Sequence, residues 1–350
     1  MEVHLFMTEI SREQRVKERY VIASALKTTL EGAYVADFAG KNLSINYNVD
    51  CAASIFAAQM IAIATHKDNS VNLAHSLALI LLGGVCESDL DNMITDTVID
   101  EVFLTNKWGR DLFDEYLSGN TDSAQFAIKC RQLERQWDSQ AVSDAALEFL
   151  KNIDEKMLIE SRAGWVKWHV DSELVDTVAG HTILAQLLAI IVNTEYMYEI
   201  DIERVILALA VKHLPAAKLG DIPLFKMPSD EKKKLEKEAF WELVCQLPDG
   251  EFLAGIFEEA QEHKSRTMEY EDSVGKCETD FQAKMFGEKQ CVDLTKQDDN
   301  SAMEDPCIQK LLDSGCSWPE MWIRYSQENF GYDENFMAIA DYLVTCKLFE

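Results

Sequence analysis

Apolar residues recur along this chain at helical rather than strand spacing. Ser11-Arg-Glu-Gln14 has the form of a capping box and predicts a helix running toward Leu30. Ala52–Thr65 and Val71–Leu82 read as apolar helical stretches. Ser143 is placed to cap a helix in which Leu147, Leu150, Ile153, Met157 and Leu158 share one stripe. Thr182–Val192 and Ile202–Val211 are apolar all round, which predicts core helices. Pro228-Ser229 announces a further helix, with the run Lys232–Lys234 on its solvated face. Alternation of β-branched and polar residues is scarce. All six prolines lie after residue 214, so none interrupts a helix before it. The expectation is an all-α chain.

Four segments recur in the same order. Leu30-Glu-Gly-Ala-Tyr34 resembles the end of Ile159-Glu-Ser-Arg-Ala-Gly-Trp165. Val49-Asp-Cys-Ala-Ala-Ser54, leading to Gln59, resembles Val175-Asp-Thr-Val-Ala-Gly-His181, leading to Gln186. Leu77–Leu82 resembles Leu207–Lys212, and Ala127–Glu134 resembles Tyr270–Glu278. A duplicated helical unit is expected, with residues 1–142 as the first copy, 143–290 as the second, and 291–350 as a C-terminal helical extension. Gln290–Pro306 is polar and acidic and reads as a loop.

Charge narrows the partners. The chain carries 61 acidic and 33 basic residues, a formal net charge of −28. That excludes a general nucleic-acid binder, which needs clustered Lys and Arg, and disfavours an anionic membrane surface. The most apolar stretches fall short of the roughly 20 residues a spanning helix needs. Nine cysteines without a Cys-x-x-Cys pair read as reduced thiols and place the protein in the cytoplasm. There is no Gly-rich phosphate loop ending in Lys-Ser/Thr and no Gly-x-Ser-x-Gly elbow.

The remaining chemistry lies between residues 160 and 283: Arg162-Ala-Gly-Trp165, Val178-Ala-Gly-His181-Thr, Ala210-Val-Lys-His213-Leu-Pro, Gly220-Asp-Ile-Pro223, Phe257-Glu-Glu259, Ser265, Lys276-x-Glu278 and Gln282-Ala283. In this order they resemble the HD-domain superfamily, in its branch of small 5′-deoxynucleotidases. The resemblance implies an all-α bundle. It also implies a divalent metal held by an early His, an adjacent His-Asp pair and a late Asp, with a nearby Glu assisting water attack on a nucleotide phosphate. His181 matches the first ligand. The His-Asp pair falls on Lys212-His213, the assisting Glu on Ala216 and the late Asp on Gly275. An ammonium cannot ligate a cation. Glu271 and Asp272 sit one turn before Gly275, from where a carboxylate can reach back. Arg162 and Trp165 match residues that contact the nucleotide's phosphate and sugar, and Asp221 matches the rim of its pocket. In the first copy Glu31, Tyr34, Ser54 and Leu82-Gly83 take the places of Arg162, Trp165, His181 and Lys212-His213, and Cys130 or Arg131 lies near that of the late Asp.

The expectation is therefore a degenerate HD pseudoenzyme of two tandem bundles arranged as a pseudo-dimer. It has no cofactor, binds a protein partner and keeps a nucleotide pocket at Arg162, Trp165 and Asp221. Trp318, Trp322 and Tyr325, in an aromatic-rich tail, are the candidate partner surface; the same rings can equally pack the last helices onto the bundle. The alternative is a divergent phosphohydrolase of nucleoside monophosphates, holding Mn²⁺, Co²⁺ or Mg²⁺ with His181, His213, Asp221 and Asp272.

Overall fold

The computed structural model describes residues 10–27, 36–40, 50–67, 70–88, 90–171, 173–289 and 292–349. Among them there are helices and no strands; one isolated bridge joins Ser161 and Thr177. The first half comprises α1 (Arg12–Ala23), α2 (Cys51–Thr65), α3 (Leu73–Cys86), α4 (Asn92–Val98), α5 (Lys107–Ser118) and α6 (Asp122–Arg135). The second comprises α7 (Asp144–Leu158), α8 (Ala163–Lys167), α9 (Val178–Tyr196), α10 (Ile202–Lys212), α11 (Ala216–Leu219), α12 (Ser229–Val244), α13 (Gly250–Gln261) and α14 (Arg266–Glu288). Three helices follow: α15 (Pro306–Asp313), α16 (Trp318–Asn329) and α17 (Glu334–Thr345).

Local chemistry sets these boundaries. Ser11 caps α1 through the Gln14 N–H, Asp50 caps α2 through the Ala53 N–H, and Thr177 caps α9 through the Gly180 N–H. Gly220 ends α11 at φ +72°, the left-handed region that glycine enters without strain. The loop expected over Gln290–Pro306 contains two short 3₁₀ turns, Leu294–Lys296 and Ser301–Glu304.

Helices α2, α3, α9 and α10 are the apolar stretches read from the sequence, and they form the centre. α2 packs on α9, α3 on α10, and each half closes its own pair, α2 with α3 and α9 with α10. α9 is long and apolar enough to cross a membrane, but its side chains are buried inside the protein. Across the α2–α9 contact two glutamines exchange amide hydrogen bonds. Gln59 Nε2 donates to Gln186 Oε1 at 2.9 Å, and Gln186 Nε2 donates back to Gln59 Oε1 at 3.1 Å. Each Nε2 also donates to a carbonyl of the next helix, Leu77 in one half and Ile206 in the other. Two buried amides thus satisfy one another inside a dry core.

One apolar core runs from Val16 to Leu348 through both halves. A second cluster joins Trp165, Trp168 and Phe286 to Ile308, Trp318 and Met321, so the C-terminal helices seal onto α8 and α14. Two details fasten them. Asp280 on α14 accepts from Ser326 Oγ at 2.6 Å and Tyr332 OH at 2.8 Å. At Gly287 a Cβ would lie 2.5 Å from Pro319 Cγ, so only glycine lets α16 approach this closely.

Candidate functional site

Three helices bring the chemistry together. The cap at Thr177 sets His181, buried, in the first turn of α9. α10 ends at Lys212, with His213 as its C-cap. α14 runs past both; its 3.6-residue period puts Glu271, Gly275, Glu278 and Gln282 on one stripe and Asp272, Lys276 and Thr279 on the next.

Around Glu278 lies a closed polar network. His181 Nδ1 is 2.5 Å from Glu278 Oε2. Glu278 Oε1 accepts from Tyr20 OH at 2.8 Å and Gln282 Nε2 at 2.6 Å. Gln282 Nε2 also donates to Asp176 Oδ2 at 2.7 Å, and its Oε1 accepts from Trp165 Nε1 at 2.8 Å. Asp176 further faces Lys27 at 3.7 Å and Arg162 at 3.8 Å. Burial raises the pKa of Glu278, against the pull of Lys27 and Arg162. Burial, reinforced by Arg162, pushes His181 well below the usual imidazole range. His213, whose ring centroid is 5.1 Å from that of His181, is pushed down by burial and by the neighbouring His181 and Lys212.

The resemblance implies a divalent metal, and the residues present do not fit one. In the place of the His-Asp pair, Lys212 Nζ lies 2.9 Å from Asp272 Oδ1 and 3.2 Å from Glu271. Burial opposes the charge of Lys212, but the two carboxylates more than offset it and raise its pKa. Burial also opposes the charge of Asp272; Lys212 and Lys276 prevail and hold that carboxyl below its usual range. The carboxylates expected to reach back for a metal therefore hold the lysine. A second group, Asp176, His181 and Glu278, has ligand atoms within 4.8 Å of one another. There the His181–Glu278 edge is already a hydrogen bond, and two of the protein's own cations face Asp176. Asp176 Oδ1 is among the buried polar atoms without a hydrogen-bond partner among the described residues, as is the neighbouring Lys27 Nζ.

Arg162, Trp165 and Asp221 do meet, with His181, Lys212, His213, Ala216 and Gly275, on the wall of a cavity of about 200 Å³. Arg162 makes a long contact with Gln282 Oε1, 3.5 Å, beside its 3.8 Å approach to Asp176, and lies over the Trp165 ring at 5.7 Å. Trp165 is 2% exposed. Asp221 Oδ2 accepts from the Ala163 N–H at 2.7 Å, which braces the start of α8 beside Arg162. A Cβ at Gly275 would meet nothing within 4 Å, so the place of the late Asp is open space. The four ligands of the alternative do not converge: Asp221 is held at Ala163 and Asp272 at Lys212.

Two expectations are corrected. Within the aromatic tail Trp318 turns inward, while Trp322 and Tyr325 stay half-buried. Trp318 is 4% exposed against Trp165 and Trp168, Trp322 faces the small cavity, and Tyr325 packs on Phe225 and Phe330. Large rings remove more apolar area from water here than on an open surface. Lys232 is not on a solvated face either. Its Nζ donates to the Ile222 carbonyl at 2.8 Å and lies 3.6 Å from Glu236 at the cavity wall; Lys234 is exposed as expected. Sequence reasoning also missed the roles of Asp176 and Lys276. The signal available was their place beside matched motifs.

The corresponding residues of the first half form a smaller, filled version. Ser54 Oγ donates to Glu134 Oε2 at 3.1 Å. Arg131 donates through Nη1 to the Ser54 carbonyl and hydroxyl, both at 3.2 Å, and pairs with Glu134 and Glu87 at 3.4 Å. Burial pushes the Glu134 carboxyl up to about 7, against Arg131. Leu82 and Gly83 lie buried in α3, and Cys130 is buried on α6. Glu31 and Tyr34 lie outside the described residues.

Compared with curated proteins, the chain matches none. A family model described as the HD domain matches residues 155–330, half of the chain, spanning every helix that lines the small cavity. The chain belongs to the HD domain family.

Proposed function

We propose that this HD-domain protein has exchanged its catalytic metal for a lysine and binds a nucleotide, or a similar phosphorylated small molecule, without hydrolysing it. The observation that carries this reading is Lys212, ion-paired with Glu271 and Asp272 where a metal's ligands would stand. In metal-dependent hydrolysis of a phosphate ester the metal supplies both the Lewis acid and the source of hydroxide. Lys212 supplies neither, and Ala216 cannot move a proton. What the pocket keeps is suited to holding an anion: Arg162, Lys212, Lys232 and Lys276 line it, and an arginine grips phosphate at two points.

We further propose that the two halves descend from one duplicated unit, so that a two-fold interface of separate subunits is reproduced within one chain. The reciprocal Gln59–Gln186 pair supports this, because paired helices related by a two-fold axis meet at equivalent residues. The Ser54–Glu134 and His181–Glu278 contacts support it independently: the aligned positions touch in each half. Eight free cysteines among the described residues accord with a cytosolic setting. A protein partner held at Trp322 and Tyr325, both half-buried, is a second proposal; Trp318, buried, is spent on internal packing.

The test is an assay of purified protein with deoxynucleoside monophosphates in Mn²⁺, Co²⁺ or Mg²⁺, run beside a thermal-shift titration of the same nucleotides. The expected result is a raised melting temperature and no turnover. Turnover abolished by His181→Ala would establish the hydrolase alternative instead.

A further inference from the structure

The small cavity does not end at Lys212. Its wall at Lys212, His213, Lys232, Lys276 and Phe330 is shared with a second cavity of about 1270 Å³. Pockets that enclose small ligands measure roughly 300–1,000 Å³, so the smaller cavity alone, at about 200 Å³, is short of a whole ligand. A molecule seated there extends past the lysines into the larger space.

The cations of this passage are of two kinds. Lys212 and Lys232 are neutralised by Glu271, Asp272 and Glu236. Lys276, Lys233 and Arg266 make no ion pair within 4.0 Å among the described residues, and all three line the larger cavity. Lys276 stands at the junction with its ammonium 4.4 Å from the centroid of the Phe330 ring. Burial lowers its pKa, Asp272 opposes that, and Lys212 and Lys232 add to it. Of the acids on the wall, Asp333 is engaged by the Tyr198 hydroxyl, while Glu269 and Glu334 are exposed. In a chain of net charge −28, Lys276, Lys233 and Arg266 place three cations without an ion pair among the described residues on the wall of one open cavity, which Glu269, Asp333 and Glu334 also line. The overall field still repels a long polyanion.

We infer that the joined cavities seat a small molecule with more than one phosphoryl group. Its first anionic group lies at Lys276, and a further one reaches toward Lys233 and Arg266. This rests on the nucleotide reading above and adds the class of ligand to it.

The experiment is calorimetric titration of the full chain with deoxyadenosine monophosphate and deoxyadenosine triphosphate, at fixed ionic strength and with a chelator present. The expected result is at least tenfold tighter binding of the triphosphate. Lys276→Gln should shrink that preference to threefold or less. Arg266→Ala combined with Lys233→Ala should do the same. Both of those side chains are exposed, so an unchanged melting temperature checks that the fold is intact. Equal affinity for the two nucleotides, or a preference that survives these substitutions, overturns the two-phosphate inference while monophosphate binding leaves the nucleotide reading standing. If neither nucleotide binds, both fall.

Discussion

Where the C-terminal half sets His181 against Glu278, the N-terminal half sets Ser54 against Glu134, and the two sites differ in what they can hold. Each carries a cation of the protein itself beside buried carboxylates: Lys212 in one, Arg131 in the other. The difference turns on one position of the matched helices. Arg131 in α6 fills the space with a guanidinium, whereas its counterpart Gly275 in α14 leaves open space. The small cavity lies beside the glycine. An own-chain cation therefore compensates stranded acids in both halves, and the volume left over decides which half can still hold a ligand.

The comparison breaks most visibly at Glu278. Glu278→Ala strips the acceptor from Tyr20, His181 and Gln282 at once, and should cost about 3–5 kcal/mol in urea unfolding. If it costs less than Glu134→Ala, the C-terminal network is not the tighter of the two.

Removing the cations sharpens the contrast. Lys212→Met leaves Glu271 and Asp272 without a counter-charge and should cost about 3 kcal/mol, part of it recovered by Glu271→Gln in the double variant. Arg131→Met should cost less, about 1–2 kcal/mol, because Glu134, already pushed up to about 7, can take a proton instead. Equal losses would show that the two cations do the same work.

Acid separates two carboxylates, one from each half, by sign. Glu134 ionises near 4.5 when free and near 7 in the fold, so its contribution is full below pH 4.5 and is lost as pH rises through 7. Asp50, pushed up to about 6 chiefly by burial, acts in the same direction between 3.8 and 6. Asp272 is held below its usual range, so its contribution is present at neutral pH and lost as pH falls through that range. Glu134→Gln should therefore flatten the fall in stability between pH 4.5 and 7, read as urea midpoints, while Asp272→Asn flattens the fall at lower pH.

The smallest effect lies on the axis between the halves. Gln59→Ala and Gln186→Ala should each cost about 1 kcal/mol, and the double variant less than the sum, since each single change strands the other amide. Strict additivity would argue against a reciprocal pair.

The helices that build the centre were legible because their apolar runs are long and uninterrupted; α2, α3, α9 and α10 fall where the pattern put them. Lys212-His213 was legible as a departure from the metal motif, because an ammonium cannot ligate. The lysine's partners were partly legible, since Glu271 and Asp272 lie one turn from Gly275. The facing of single side chains was not. Lys232 and Lys234 belong to one run, and only the fold turns one inward. Trp318 reads alike as an anchor for a partner and as core. Tyr20 meets Glu278 across 258 residues, a contact no local spacing announces. Helix α4 carries too few periodic apolar residues to stand out and forms on the packing of its neighbours, whereas α5 has a stripe of Trp108, Leu112 and Tyr116 between Asn106 and Gly119 that the apolar-run reading passed over.

The central claim is that Lys212 has taken over the metal's place in a site that still binds a phosphate. Its most direct test is the affinity for deoxyadenosine monophosphate measured by calorimetry after exhaustive chelation, and again in Mn²⁺. The account predicts the same dissociation constant in both, with nucleotide intact at the end, and loss of binding in Arg162→Ala. Binding or hydrolysis that appears only with the metal would contradict it.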